Sequence, residues 1–230
     1  MSAQPLAGRR LALFDLDGTL IPTDSDHAFG ELVVALGWAD ALLHRQRNDA
    51  FFADYQAGTL DIHAYVEFAT APWRDRSANE LAQATARFVR EAMQPLVQAI
   101  ALQLVRQHQQ AGDLVAIVTA TNDFVARPVA ALFGIGELIA TDLQRNAQGR
   151  VTGLIEGVPC FRKGKISRVN SWLAERGHTL ADFEQSFFYS DSTNDLPLLE
   201  QVTHPVATNP GPALERTARA RGWPVLKLFT

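Results

Sequence analysis

The sequence of 230 residues contains a single cysteine, Cys160. One cysteine cannot form an intramolecular disulfide bond, nor can it build a metal site made of clustered cysteines. The six histidines are scattered along the chain, and none of them follows the His-Glu-x-x-His spacing of zinc hydrolases. The sequence therefore excludes an intramolecular disulfide and argues against a zinc enzyme.

Long hydrophobic runs and long runs of like charge are also missing. Arg9 and Arg10 precede only four apolar residues, 11–14, which are too few for the core of a signal peptide. No later stretch approaches the length of a membrane span. The formal net charge of −4 argues against nucleic acid or an anionic membrane as the main partner. We therefore expect a cytoplasmic protein that acts on a small molecule.

Short apolar runs recur along the chain, and three of them end in polar residues. These runs are residues 11–14, 114–118 and 187–189, and they are followed in turn by Asp15, Thr119 and Ser190. Two weaker runs lie at residues 205–207 and 225–226. A continuous apolar run bounded by turn residues is typical of a buried strand in a parallel sheet.

Helical patterns fill the gaps between these runs, at residues 95–110, 122–132, 165–176, 196–202 and 212–221. The first pattern begins with Pro95, and Gly112 follows its end, as is typical of helices. Strands that alternate with helices predict a doubly wound, mostly parallel α/β sheet. In such sheets functional groups collect at the carboxyl ends of the strands, which is where the three polar clusters fall.

Residues 22–94 break this alternation, because their apolar residues follow helical spacing only. Phe29 and Val33 lie one helical turn apart, and Ser77 with Glu80 matches a capping box at a helix start. So long a helical segment is more than a simple crossover between two strands requires. We therefore predict a helical cap of residues 22–94, inserted into a catalytic core of residues 1–21 and 95–230.

Four aspartates follow two of the predicted strands. Asp15 and Asp17 can both turn toward one point in the tight turn after the first strand, and Asp191 and Asp195 follow another strand. Like charges so close repel each other unless a cation lies between them or one of them is protonated. A cluster rich in carboxylate oxygen and poor in nitrogen suits Mg²⁺, so the sequence predicts a magnesium site.

The residues after the second predicted strand are suited to an anion. Thr119, Thr121 and Asn122 supply hydroxyl and amide donors at the start of a helix, where backbone N–H groups favour phosphate. Lys163 and Lys165 precede another predicted helix and can bring positive charge to the same place. Phosphoryl transfer needs an aligned nucleophile, charge neutralisation and a proton donor, and the sequence contains all three.

The order of these clusters resembles the four motifs of the haloacid dehalogenase superfamily of phosphatases. Residues 15–20 (DLDGTL) resemble its first motif, Thr119 its second, the surroundings of Lys165 its third, and residues 190–195 (SDSTND) its fourth. Many members have glycine where this chain has serine in the fourth motif, a departure that leaves the carboxylates intact. The resemblance spans nearly the whole chain and implies a phosphoric monoester hydrolase with a Rossmann-like core.

The resemblance implies a role for each matching aspartate. Asp15 would attack phosphorus and become an aspartyl phosphate. Asp17 would protonate the leaving alcohol and then activate water for the second step. Asp15, the main-chain carbonyl of Asp17 and Asp191 would hold Mg²⁺, with Asp195 nearby.

The other matching residues are implied to bind the phosphoryl group and the substrate. Thr119 and a lysine would bind the phosphoryl oxygens, and we favour Lys165 over Lys163 because Gly164-Lys165 opens the helical pattern, as in relatives. Asn194 would order its loop at the substrate, and Asn122 would lie at the substrate phosphate.

The predicted cap resembles that of the branch containing phosphoserine phosphatase. A closer match is to small bacterial proteins, some of which act on histidinol phosphate, in residues 24–27 (DSDH), 47–48 (RN), 54–55 (DY) and 221–224 (RGWP). A carboxylate at the cap hinge of phosphoserine phosphatase binds the substrate ammonium. Asp24 falls near that place, so the resemblance implies that Asp24 or Asp26 pairs with an amine. No arginine in the cap is identified as a carboxylate ligand, which favours histidinol phosphate and a place in amino-acid biosynthesis.

Several alternatives remain open at this point. Phosphoserine is the second candidate substrate, and the alternative functions are a phosphotransferase and a catalytically silent protein that binds phosphorylated metabolites. A dehalogenase is disfavoured, because halide leaves unprotonated and such an enzyme needs neither Asp17 as an acid nor a metal site. The sequence leaves both a monomer and a dimer open.

Overall fold

The fold is built on a six-stranded sheet, in a computed structural model that describes residues 10–229. The strands of this sheet and of a separate two-stranded hairpin are β1 (Arg10–Phe14), β2 (Leu114–Asn122), β3 (Leu138–Thr141), β4 (Leu143–Arg145), β5 (Val151–Ile155), β6 (Gln185–Ser190), β7 (His204–Thr208) and β8 (Val225–Leu226). The sheet has the order β3-β2-β1-β6-β7-β8, and all its neighbouring pairs are parallel. This arrangement confirms the predicted doubly wound α/β fold.

Helices fill the connections between the strands. They are α1 (Ser25–Ala35), α2 (Ala41–Ala57), α3 (Ile62–Thr70), α4 (Ala78–Arg87), α5 (Ala99–Gln110), α6 (Asp123–Leu132), α7 (Lys163–Ala174), α8 (Leu196–Leu199) and α9 (Pro212–Arg221). A π-helical turn, Phe88–Met93, continues α4, and short 3₁₀ turns lie at Gln94–Leu96, Leu180–Asp182 and Thr193–Asp195.

Alternate residues of β1 enter two hydrophobic clusters on the two faces of the sheet. Ala12 and Phe14 belong to one cluster, Leu11 and Leu13 belong to the other, and all four side chains are fully buried. Successive side chains of a strand point to opposite faces. A strand that is covered on both faces therefore needs a continuous apolar run, which is the pattern that predicted β1 from the sequence.

The helices between β1 and β2 share one of these clusters with the sheet. Phe29 of α1 and Val66 of α3 lie in the same cluster as Phe14, and the Phe29 ring packs edge-on against Phe88 at 5.1 Å between centroids. Residues 22–94 are helical, as the sequence predicted. Because these helices share their hydrophobic cluster with the sheet, the boundaries at residues 22 and 94 stay a prediction.

The predicted helix at residues 95–110 is wrong in its first turn. Val97 and Gln98 have extended backbone, with ψ angles of 110° and 144°, so α5 begins only at Ala99. Pro95 lies instead in the separate 3₁₀ turn. A proline at a helix start and a proline in a short turn before the helix give similar sequence patterns.

The sequence did not predict β3 or the antiparallel pair of β4 and β5. β3 has only four residues, and β4 and β5 form a hairpin beside the parallel sheet. The hairpin turn is closed by Asn146, whose backbone N–H donates to the carbonyl of Arg150 at 2.9 Å. β5 packs against α3, so the hairpin supports the helices between β1 and β2.

The order of the strands reverses between β1 and β6. From β1 the chain builds β2 and β3 on one side, and from β6 it builds β7 and β8 on the other. Ligands of open parallel sheets bind at such a switch point, beyond the carboxyl ends of the strands. Asp15 follows β1 and Asp191 follows β6, so both carboxylates lie at this point. Among residues 10–229, no helix combines the length and apolar character needed to cross a membrane.

Candidate functional site

The turn after β1 packs directly against Asp191. Asp15 is buried, and its backbone N–H donates to the carbonyl of Tyr189 at 2.9 Å, which ties the turn to β6. Gly18 has a φ of +70°, and a Cβ placed on it would lie 2.4 Å from Oδ2 of Asp191. Only glycine meets both conditions, since it tolerates left-handed backbone and lacks a Cβ. Glycine at this position therefore lets the carboxylate of Asp191 approach the turn.

Lys165 forms ion pairs with two aspartates at the centre of the site. Its ammonium donates to Oδ1 of Asp15 at 2.9 Å and to Oδ2 of Asp195 at 2.7 Å, and its side chain is 1% exposed. Lys163 is exposed and starts α7. The structure thus places Lys165, and not Lys163, against Asp15.

A close backbone contact at Gly164 holds the start of α7, and two carboxylates hold the charge of Lys165. A Cβ on Gly164 would lie 2.0 Å from the carbonyl oxygen of Pro159, so the chain passes this carbonyl more closely than any other residue allows. Burial lowers the pKa of the Lys165 ammonium, but the charges of Asp15 and Asp195 outweigh this effect and hold the pKa well above its usual value. Lys165 is therefore a permanent cation beneath the pocket.

Asp195 forms an ion pair with Lys165, and its predicted place beside a magnesium ion stays a prediction. The Oδ2 atom of Asp195 also accepts a hydrogen bond from Ser190 at 2.7 Å, and Asp195 makes no side-chain cap to α8. Within residues 10–229, no three histidine, cysteine or acidic side chains are grouped as a metal site. Ser190 of the fourth motif thus helps to hold the Asp195 carboxylate toward the lysine, where the carboxylate neutralises the charge of Lys165.

The side chain of Asp17 is held between the start of α1 and the end of β2. One carboxylate oxygen accepts the backbone N–H of Ser25 at 2.8 Å, and the other accepts the hydroxyl of Thr121 at 2.6 Å. Burial raises the pKa of Asp17 to about 7, and the neighbouring charge of Asp24 adds to this rise. Asp17 can therefore exchange a proton near neutral pH.

The end of β2 brings Thr119 into the pocket but leaves Asn122 outside its lining. Thr119 is 1% exposed, and its hydroxyl oxygen accepts the backbone N–H of Thr121 at 3.2 Å. Asn122 is the N-cap of α6: its Oδ1 accepts from the backbone of Val125 at 3.1 Å, and its Nδ2 donates to Asp26 at 2.9 Å. Both ends of the Asn122 amide are thus engaged within the protein.

A pocket extends from Asp15 between the strand ends and helices α1, α2 and α3. Carboxylates form one part of its wall and aromatic rings another: Asp15, Asp17, Asp24, Asp26, Phe51 and Phe52. Among its described lining residues there is neither a lysine nor an arginine. The predicted residue Asp24 lines this pocket and also a second, neighbouring pocket that reaches Asp191. The combined cavity suits a ligand with a positively charged or N–H-bearing body.

Asn194 connects the fourth motif to α2 and does not line this pocket. Its Nδ2 donates to the carbonyl of Tyr55 at 3.0 Å, and its Oδ1 accepts from Nε of Arg162 at 3.3 Å. Arg162 has a φ of +52°, an unusual conformation for a residue other than glycine. Asn194 therefore positions Tyr55, whose ring lines both pockets.

Sequence reasoning missed several residues that shape the site. Tyr55 and Ser25 enter the sequence argument only within matching segments, without a role of their own, and Arg162 does not enter it. Their roles depend on contacts across the chain, such as the bond between Asn194 and Tyr55, which are 139 positions apart.

The oxygen donors at the switch point suit a magnesium ion. Burial raises the pKa of Asp191 well above its usual value, and the charges of Asp15 and Asp195 add to the rise. A divalent cation beside Asp15 and Asp191 would remove this repulsion. Mg²⁺ commonly takes one or two carboxylates and completes its shell with other oxygens. The two carboxylates and the main-chain carbonyl of Asp17 therefore fit this ion.

Comparison with known proteins gives a consistent result over most of the chain. The family described as haloacid dehalogenase-like hydrolase matches residues 12–200. A histidinol-phosphatase of Neisseria meningitidis serogroup C (strain 8013) is 46% identical over 218 residues, which cover 95% of this chain and 98% of the relative.

Solved structures agree with the fold. A protein of unknown function from Bordetella pertussis Tohama I has a TM-score of 0.91 and 49% identity, with 96% of this chain and 100% of that chain covered. A substrate-bound phosphoserine phosphatase has a TM-score of 0.67 and 16% identity, with coverage of 95% and 92%. The second likeness extends to the fold alone.

Proposed function

Because this chain belongs to the haloacid dehalogenase-like hydrolases and is a phosphatase, we propose that it hydrolyses histidinol phosphate with Mg²⁺ through an aspartyl phosphate on Asp15. One observation carries the choice of substrate: the pocket that leads from Asp15 combines acidic and aromatic walls, and its described lining residues include no lysine or arginine. The name of the Neisseria relative supports the same choice. This activity would place the protein in amino-acid biosynthesis, in the cytoplasm.

In the first step, Asp15 attacks phosphorus and the bond to the leaving oxygen breaks. Lys165 donates to Oδ1 of Asp15 at 2.9 Å, which holds the attacking carboxylate in position. The hydroxyl of Thr119 and the ammonium of Lys165 would bind the phosphoryl oxygens, on which negative charge is concentrated. Asp15, Asp191 and the carbonyl of Asp17 would hold Mg²⁺, which supplies further neutralisation of that charge when bound.

Asp17 transfers the protons of both steps. With a pKa of about 7, raised by burial, it donates a proton to the leaving alcohol at neutral pH. The resulting carboxylate then removes a proton from the water that attacks the aspartyl phosphate. Hydrogen bonds from Ser25 and Thr121 hold this carboxylate in one orientation through both steps.

Chelation of divalent cations is expected to lower the rate of phosphate release at least about a hundredfold, because Asp15 and Asp191 repel each other without a cation. Added Mg²⁺ should restore the rate. It should also raise the melting temperature in the absence of substrate, since it binds only the folded chain. Phosphate release that continues in excess chelator would remove Mg²⁺ from the mechanism.

The lining of the pocket separates the two candidate substrates. Phosphoserine carries a carboxylate beside its amine, and this carboxylate is repelled by the four aspartates that line the pocket, where no lysine or arginine is among the described lining residues to pair with it. Histidinol phosphate carries an amine and an imidazole ring but no carboxylate. We therefore expect a preference for histidinol phosphate of at least about a hundredfold in kcat/KM, since an unpaired buried charge costs several kcal/mol.

A phosphate-release screen with Mg²⁺ tests this proposal directly. It compares histidinol phosphate, phosphoserine, O-phosphoethanolamine and p-nitrophenyl phosphate at equal concentrations. Equal or faster hydrolysis of phosphoserine would overturn the proposed substrate but not the phosphatase mechanism. Product analysis with added alcohols separates hydrolysis from phosphotransfer to another acceptor.

Asp24→Asn is expected to lower kcat/KM for histidinol phosphate by about tenfold to a hundredfold, because the proposed ion pair with the substrate amine is lost. The loss on p-nitrophenyl phosphate, which has no amine, should be much smaller. Asparagine can still accept the backbone N–H of His27 that Asp24 accepts at 2.8 Å, so the start of α1 is kept.

Asp40→Asn is the matched control, because Asp40 is an exposed N-cap of α2 that accepts from Leu43 at 2.9 Å outside the pocket. Its kinetics should equal those of the wild type on both substrates. Equal losses on the two substrates in Asp24→Asn would end the case for an amine contact.

A further inference from the structure

Asp26 is a buried carboxylate that the proposed chemistry does not use. It lies in the first turn of α1, is 8% exposed, and lines the pocket. Its Oδ1 accepts from Nδ2 of Asn122 at 2.9 Å, and Asn122 is itself fixed at the start of α6. The carboxylate is thus held in place from the side of the sheet, with its other face toward the cavity.

No basic side chain within residues 10–229 forms an ion pair with Asp26. Burial raises the pKa of Asp26 to about 7, and the charge of Asp24 raises it further, while Asn122 and Tyr65 lower it. A buried carboxylate without a cation is costly to a fold. A donor from a bound ligand would offset this cost.

Aromatic rings surround this end of the pocket. Tyr65 of α3 lies beside Asp26, and its ring packs edge-on against Phe51 of α2 at 5.4 Å between centroids. Both rings line the cavity. A flat, N–H-bearing group fits between such rings and a carboxylate better than an aliphatic ammonium alone does.

The acidic residues follow one another along the pocket. Burial raises the pKa of Tyr65 well above its usual value, and the charges of Asp26, Asp24 and Asp17 add to the rise in that order. Asp17 follows β1, Asp24 caps the start of α1 and Asp26 lies in the first turn of α1, and all three line the pocket. In histidinol phosphate the ring, the amine and the phosphate also follow one another along the carbon chain.

We infer that Asp26 and Tyr65 form a recognition subsite that accepts a hydrogen bond from an imidazole N–H of the substrate, separate from the amine contact of Asp24. This inference rests on the proposed function. An imidazole ring has an N–H donor in its neutral form and two in its protonated form. Asp26 thus distinguishes substrates by the ring, whereas Asp24 distinguishes them by the amine.

The first test uses Asp26→Asn with two substrates that both carry an amine. Only histidinol phosphate carries the ring, and O-phosphoethanolamine lacks it. The ratio of their kcat/KM values should fall at least about tenfold in Asp26→Asn, mainly through KM, and should stay constant in the control Asp40→Asn. Asp24→Asn should lower both values and change the ratio less. A constant ratio in Asp26→Asn would overturn the inference, because a purely structural role affects both substrates alike.

The second test does not require histidinol phosphate to be a substrate. It measures inhibition of p-nitrophenyl phosphate hydrolysis by histidinol and by ethanolamine, which differ in the ring. Histidinol should inhibit the wild type at least about tenfold more strongly, and Asp26→Asn and Tyr65→Phe should each weaken this advantage. If Asp26→Asn does not fold, the result for Tyr65→Phe decides the test.

The two tests separate failure of the subsite from failure of the proposed function. If histidinol phosphate is not hydrolysed but histidinol still inhibits through Asp26, the proposed substrate is wrong and the subsite stands. If histidinol phosphate is hydrolysed but both variants keep the full preference for the ring, the subsite is overturned. Equal inhibition by histidinol and ethanolamine in the wild type also overturns it.

Discussion

Asp15→Asn is expected to lower the rate of phosphate release at least about ten-thousandfold, since a variant without its nucleophile retains only the catalysis of the remaining site. The asparagine amide cannot attack phosphorus to form an acyl phosphate. The loss should fall on kcat and should be equal for histidinol phosphate and p-nitrophenyl phosphate, because both react at the same atom. Initial rates with Mg²⁺ measure this directly.

Folding of Asp15→Asn should be close to normal, which separates chemistry from stability. The oxygen of asparagine can still accept from Lys165, and Lys165 keeps its ion pair with Asp195 at 2.7 Å. The free energy of unfolding should therefore change by less than about 2 kcal/mol, measured by urea denaturation. Asp40→Asn again supplies a control with the same substitution on the surface. A rate within tenfold of the wild type would show that Asp15 is not the nucleophile.

The central strands could be predicted because their pattern is local. β1, β2 and β6 each contain a continuous apolar run, as strands covered on both faces require, and the polar residues that were singled out directly follow each run. Once three parallel strands are placed, topology brings their carboxyl ends together. The meeting of Asp15 with Lys165, 150 positions apart, follows from that topology combined with the order of the motifs.

The peripheral elements and the exact partners could not be predicted, because they depend on distant contacts. β4 and β5 pair with each other beside α3, and their short, partly polar stretches resemble loops. Asn122 follows β2 as expected, but only the folded chain brings Asp26 within 2.9 Å of its amide. Likewise Asp195 and Asp191 belong to the same motif, but the motif alone does not show that Asp195 pairs with the Lys165 ammonium, because this contact depends on where α7 lies in the fold.

Lys165→Met should impair both activity and stability, and comparison with Lys163→Met tests the choice between the two lysines. Lys165 is the cation between Asp15 and Asp195, and removing it leaves two buried carboxylates without a partner. Breaking a buried ion pair from one side costs about 3–5 kcal/mol. Lys163 is exposed, so Lys163→Met should change the free energy of unfolding by less than about 0.5 kcal/mol.

The activity of Lys165→Met should fall about a thousandfold or more even at temperatures where it stays folded, because a charge that stabilises the phosphoryl oxygens is lost. Protonation of Asp15 or Asp195 would relieve part of the repulsion, but a protonated Asp15 is no nucleophile, so stability can recover without activity. Denaturation curves and phosphate-release rates of the two methionine variants give both quantities. A full rate in Lys165→Met, or a larger loss in Lys163→Met, would remove Lys165 from the site. Stability lost to the same extent in both variants would mean that the ion pairs with Asp15 and Asp195 contribute no more than a surface charge.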